Sequence, residues 1–177
     1  AHIYFSQQEY QDAFLYTNKA LETYRKIHYV PGMIDALYNL GIICINTLNE
    51  NPDKKIVQDI QQYYYECIKL AKSISNQRKN YDKIINNCYG FISYYNNKTD
   101  SCIYYFEKGL LAANKNQEIY SVGPIYLGLC AAYYKSKNYQ KAILYGQKAL
   151  KIAQDSKNIM IQLRSFEQLL RSYKEIQ

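Results

Sequence analysis

Apolar and small residues in "NYQKAILYGQKALKIAQ" (138–154) recur at steps of three and four: Tyr139, Ala142, Tyr145 and Ala149. That spacing puts them on one face of a helix. The pattern recurs near the start in "EYQDAFLYTNKALETYR", and more weakly in "VQDIQQYYYECI" from Val57 and "TDSCIYYFEKGL" from Thr99. Ala13, Ile60, Cys102 and Ala142 are equivalent, as are Ala20, Cys67, Gly109 and Ala149. A second pattern alternates with the first: "LYNLGIIC", "NNCYGFIS", "YLGLCAAY" and "FEQLLRSY". It aligns Gly41, Gly90, Cys130 and Leu170 at a similar period. Each unit is thus predicted to be a leading helix with the second pattern, a short turn, and a trailing helix with the first. A recurrence every roughly 40 residues marks a solenoid.

Helix against helix explains the choice of residues. Small residues such as Ala142 and Ala149 admit a neighbouring helix closely, while Tyr139 and Tyr145 fill the flanking grooves. One pair buries only part of its apolar surface, and stacked pairs bury the rest. Asn96–Lys98 and Lys137-Asn138 are the expected turns, with Asn97 and Asn138 suited to turn conformations. The second unit has extra residues around "NENPDKK", where Pro52 should break the helix and form an exposed loop. The predicted architecture is an all-α, right-handed superhelix of about four helix pairs in one domain. Its repeats are expected at 1–30, 31–79, 80–119 and 120–158, with a final helix at 159–177. The first leading helix looks partial and the last lacks a trailing partner, so the chain is expected to be a fragment of a longer protein.

Composition narrows the function. Only 7 Gly and 3 Pro among 177 residues argue against an all-β fold, and no apolar run reaches the roughly 18 residues of a membrane span. The net charge of +7 is interspersed with acids and amides, densest at "QRKNYDK", which fits a solvated surface better than a nucleic-acid stripe. Nucleic acid is therefore not the expected partner. The five cysteines form no CxxC and the two histidines lie at no ligand spacing, so no metal or other cofactor is expected. Cys67, Cys88, Cys102 and Cys130 lie on apolar stripes as buried thiols. They favour a reducing compartment, the cytoplasm, with a periplasmic sensor domain as the alternative. No nucleophile–base pair and no GxSxG, HExxH or P-loop motif is present, so catalysis is not expected. "NNKT" at 96–99 is a glycosylation sequon read as a repeat turn. In "QQYYYECI" at most one or two of Tyr63, Tyr64 and Tyr65 share a face, so core packing is expected there.

The phrase "YLGLCAAYYKSKNYQKAILYGQKAL" resembles the tetratricopeptide repeat, which pairs an aromatic, Leu-Gly and Tyr with a following Tyr-x-x-Ala and Ala-Leu. Leu40-Gly41 supplies the Leu-Gly directly, and Cys130 stands where Gly is usual. The period here is longer than the usual one of about 34 residues. Longer repeats of this kind are similar to those of bacterial peptide-sensing regulators, and of sensor kinases and transcription factors. The resemblance implies a non-catalytic protein- or peptide-binding module whose concave groove is lined by the leading helices. Carried over residue by residue, the groove takes Tyr38, Asn39, Ile42 and Asn46, then Asn87, Phe91, Tyr94 and Tyr95. Leu127, Ala131, Tyr134 and Lys135 follow, and Arg164, Gln168 and Arg171 complete it. Amides can bond a peptide backbone in either sense, and arginines can hold a carboxylate. Ile84 and Pro124 stand where chaperone-tail clamps carry basic residues, which argues against that ligand. A self-associating module, for example a homodimer, is the alternative.

Overall fold

The computed structural model describes residues 2–47, 53–74, 81–115 and 122–177, with side chains from Glu9 onward. The described residues are all-α and contain no strand. The helices are α1 (His2–Lys26), α2 (Val30–Thr47), α3 (Lys54–Ile74), α4 (Asp82–Tyr95), α5 (Thr99–Lys115), α6 (Gly123–Lys135), α7 (Tyr139–Asp155) and α8 (Ile159–Lys174). Even-numbered helices carry the leading pattern and odd-numbered helices the trailing one. The loop expected at Pro52 and most of "QRKNYDK" lie outside the described residues. No described helix is long and apolar enough to cross a membrane.

Two compact units divide the chain, Ala1–Tyr81 and Asp82–Gln177. In the first, α1 packs on α2 and α2 on α3. In the second, each helix from α4 to α8 packs on the next, and the leading helices α4, α6 and α8 also touch in succession. Such consecutive packing is the helical-repeat arrangement anticipated from the period. The small-residue stripe does what its spacing required: Ala142, Gly146, Ala149 and Ala153 are the buried residues of α7.

The tight turns share one design. Residues 28, 97, 137 and 157 all adopt positive φ, between 54° and 61°. After each, an amide reaches back to a helix carbonyl: Tyr29 to Tyr24 at 2.9 Å, Lys98 to Ser93 at 2.9 Å, Asn138 to Tyr133 at 2.9 Å and Asn158 to Ala153 at 2.8 Å. This is the Schellman cap, which satisfies the last carbonyls of one helix. Asn97 takes the left-handed position as anticipated, but in the next turn that position belongs to Lys137 rather than Asn138. Asn138 is needed one residue later, where its side chain accepts from the Lys141 amide at 3.2 Å and caps α7. Asn158 caps α8 in the same way, accepting from Ile161 at 3.0 Å. A side chain in the left-handed region is strained, so Lys137→Gly is expected to stabilise the protein by about 1 kcal/mol. A thermal melt checks this, since an unchanged or lower midpoint would show that the turn carries no such strain.

The pairing of helices rests on a space exchange between them. Gly41 of α2 faces Tyr64 of α3, and any Cβ at that glycine would overlap the ring. Gly90 of α4 faces Phe106 of α5, where a Cβ would come within 2.7 Å. Glycine and ring stand further apart along the chain in the first pair, and the insertion around "NENPDKK" accounts for the difference. In the next pair the roles reverse. Cys130 replaces the glycine of the leading helix, and Gly146, at the same remove as Phe106 from Gly90, replaces the ring. A Cβ at Gly146 would lie 3.3 Å from Cys130 Sγ and 2.9 Å from Leu169. The departure at Cys130 is therefore compensated across the helix pair. Cores require this kind of volume matching.

Candidate functional site

The ends of α4, α6 and α8 bring together most of the rings and cations expected in a groove. Tyr94 and Tyr95 close α4 and meet edge to face at 5.4 Å. Lys135, the last residue of α6, places its ammonium 4.2 Å from the centre of the Tyr94 ring. It donates to the Tyr94 carbonyl at 3.2 Å and to Asn97 Oδ1 at 2.8 Å. Burial lowers the Lys135 pKa below the ordinary lysine value. Its cation thus leans on neutral oxygens and a ring face, both of which favour the charged form locally.

The neighbouring level repeats the theme with a carboxylate. Tyr134 Oη donates to Glu175 Oε1 at 3.1 Å, and its ring packs on Tyr139 at 5.6 Å. Burial, followed by Glu175, raises the Tyr134 hydroxyl, and burial also raises that of Tyr94. Arg171 of α8 acts the other way on both hydroxyls, so its charge is felt at both. The cluster therefore joins Tyr94, Tyr95, Tyr134 and Arg171 of the expected set. Lys135 belongs to that set as well, whereas Asn97, Tyr139 and Glu175 do not. Asn97 and Tyr139 belong to turn and trailing helix rather than to the leading pattern. Glu175 lies past the last helix, so periodicity gave no signal for it.

Other expected groove residues lie elsewhere. Asn87 is fully enclosed, against Gly109 of α5, where a Cβ would come within 2.8 Å of its Oδ1. Phe91 is also core, packed edge to face on Phe106 at 4.9 Å. Neither offers surface to a ligand, so both are removed from the groove. The reason is that α4 is covered by both α5 and α6, which buries far more than one stripe. Arg164 is half-buried and reaches Glu167 at 3.4 Å, and Gln168 is half-buried on the same helix. Asn39 is exposed and Asn46 half-buried on α2, in the other unit. There Tyr38 packs on Tyr64 at 6.2 Å. Of the three consecutive tyrosines, Tyr64 is in the core and Tyr65 is exposed.

Two further features delimit the chemistry. A shallow depression of about 570 Å³ runs along α3, lined by Gln58, Gln61, Gln62, Tyr65, Glu66 and Lys69. One helix supplies this lining, and it includes none of the expected groove residues. Among the described residues, no three of His, Cys, Asp and Glu gather as a metal site. All five cysteines are free and buried. Comparison with known proteins found no protein-family model that matches the chain and no curated protein that matches it.

Proposed function

We propose that this chain is a non-catalytic binding module built from tetratricopeptide-type helix pairs, the interaction domain of a bacterial regulatory protein. Its ligand is an extended peptide segment with an acidic side chain or a free C-terminal carboxylate. The observation that carries this reading is the cluster at the ends of α4, α6 and α8. There Lys135 lies on the Tyr94 ring and is held by neutral acceptors, Tyr95 packs on Tyr94, and the charge of Arg171 is felt at the Tyr94 and Tyr134 hydroxyls. A carboxylate would complete such a site through charge-assisted hydrogen bonds, and the rings would supply contact area.

Fluorescence polarisation with acidic peptides, each made with a free and an amidated C-terminus, tests the reading. Arg171→Ala is expected to weaken binding about tenfold, the effect of losing one charged hydrogen bond. Lys135→Ala should act in the same direction, with helicity checked by circular dichroism. Asn87→Ala should instead lower stability, by about 1–3 kcal/mol, because it deletes a buried amide. Unchanged affinity in both cation variants would sink the assignment.

A further inference from the structure

A stack of rings between α6 and α7 has an unfinished counterpart elsewhere in the chain. Tyr145 of α7 lies beside Tyr126 and Tyr133 of α6, with ring centres 6.1 and 5.4 Å apart, and it is parallel to Tyr133 within 1°. Lys148 stands over the Tyr145 ring at 5.2 Å. The Tyr133 hydroxyl donates to Glu107 of α5 at 3.1 Å, which fixes the ring. Cation, ring stack and anchoring side chain together make the contact between leading and trailing helix.

One repeat further on, α8 carries Phe166 and Tyr173 where α6 carries Tyr126 and Tyr133. Gln147 occupies the position of Glu107 and donates to the Tyr173 hydroxyl at 3.0 Å, so this ring is anchored in the same way. Yet Phe166 is 54% and Tyr173 41% exposed, against 7% for Tyr133. With Ile159, Leu163 and Leu170 they form an open apolar stripe at steps of four and three. The missing half is found on α1. Tyr16 and Lys19 match Tyr145 and Lys148, and the Lys19 ammonium already stands 5.4 Å from the centre of the Tyr16 ring. That ring is 66% exposed. Ala13 is likewise exposed, although its equivalent, Ala142, is buried.

We propose that α1 of a second copy docks antiparallel on α8, seating Tyr16 against Phe166 and Tyr173 and rebuilding the stack seen between α6 and α7. Charge agrees with this orientation. The last turn of α8 carries Lys174 near the stripe, and the facing part of α1 carries Glu9 and Asp12. The contact is heterologous, since an α1 meets an α8, and each copy keeps one further α1 or α8 through which association can continue.

Sedimentation velocity of the 177-residue chain over a range of concentrations tests the proposal, with Tyr16→Glu and Phe166→Glu as variants. The parent should associate progressively with concentration. Each variant alone should associate at least about tenfold more weakly, as expected when a charge enters the centre of an aromatic contact. Mixed together, the two variants should form a 1:1 dimer that grows no further, because one intact α1 meets one intact α8. Both positions are exposed, and circular dichroism checks that helicity is retained. As a second arm, Tyr16→Cys and Phe166→Cys chains mixed under oxidation should give a mixed disulfide-linked dimer. A parent that stays monomeric overturns the proposal. So does association that survives Tyr16→Glu, which would mean that α8 packs on something other than α1.

Discussion

Phe106→Ala is expected to destabilise the protein by about 3–5 kcal/mol, the range for removing a buried ring without collapse around it. Phe106 is fully enclosed and touches two leading helices at once. It lies against Gly90 of α4 and Gly128 of α6, and a Cβ at either glycine would press into the ring. Phe91 meets it edge to face at 4.9 Å. Removing the ring therefore empties a space shared by three helices, and none can close it alone. The converse substitution, Gly90→Ala, should also destabilise. Alanine gains about 1 kcal/mol of helix propensity over glycine. Overpacking against a ring that has nowhere to move costs about 1–3 kcal/mol, so the balance falls on the unfavourable side. Urea unfolding followed by circular dichroism checks both. A Gly90→Ala chain more stable than the parent would show that the ring can yield, and the space exchange would lose its basis.

Alkaline pH should produce the second large effect. Burial pushes the thiols of Cys102 and Cys130 up to about 12, and that of Cys44 up to about 11, from 9.0. The sign follows from proton binding. Above pH 9 the unfolded chain releases these protons while the folded chain keeps them, so rising pH favours unfolding. Stability from the thiols is complete below pH 9 and is lost as pH rises through 11 to 12. Each thiol contributes up to about 1.4 kcal/mol per pH unit within that window. Burial raises the tyrosines at positions 94, 133 and 145 as well, and they add in the same direction. Urea midpoints at pH 8, 9 and 10 should fall progressively, and Cys130→Ala should make the fall shallower. Equal midpoints across that range would mean that the thiols are not protected. Iodoacetamide offers an independent check, because native thiols should resist it until urea unfolds the chain.

The helix pairs were legible in the sequence because trailing helices pack through one narrow stripe. Ala142, Ala149 and Cys102 repeat at fixed intervals, and all are buried. The groove was less legible because leading helices are covered on more than one side. In α4 the residues Asn87, Cys88, Gly90, Phe91, Ile92 and Ser93 are all buried, nearly two turns of core interrupted only at the half-buried Tyr89. A pattern that assumes one buried face assigns the rest to solvent, and it misplaces Asn87 and Phe91. The turns show the same limit on a smaller scale. Composition marked "KN" at 137–138 as a turn, but not which residue would take the left-handed conformation and which would cap the next helix.

By itself the sequence determined what is periodic: the helices, their alternation, the polar turns between them and the stripe of small residues that lets them approach. Such features depend on spacing along one chain, and spacing survives without knowledge of any neighbour. Tertiary structure alone decided what depends on two helices at once. It exchanged bulk between Cys130 and Gly146, enclosed Asn87 and set Lys135 on the Tyr94 ring. It also left Phe166 and Tyr173 uncovered, although Tyr173 is anchored. The physical reason is that volume and burial are shared between helices, whereas periodicity belongs to each helix alone.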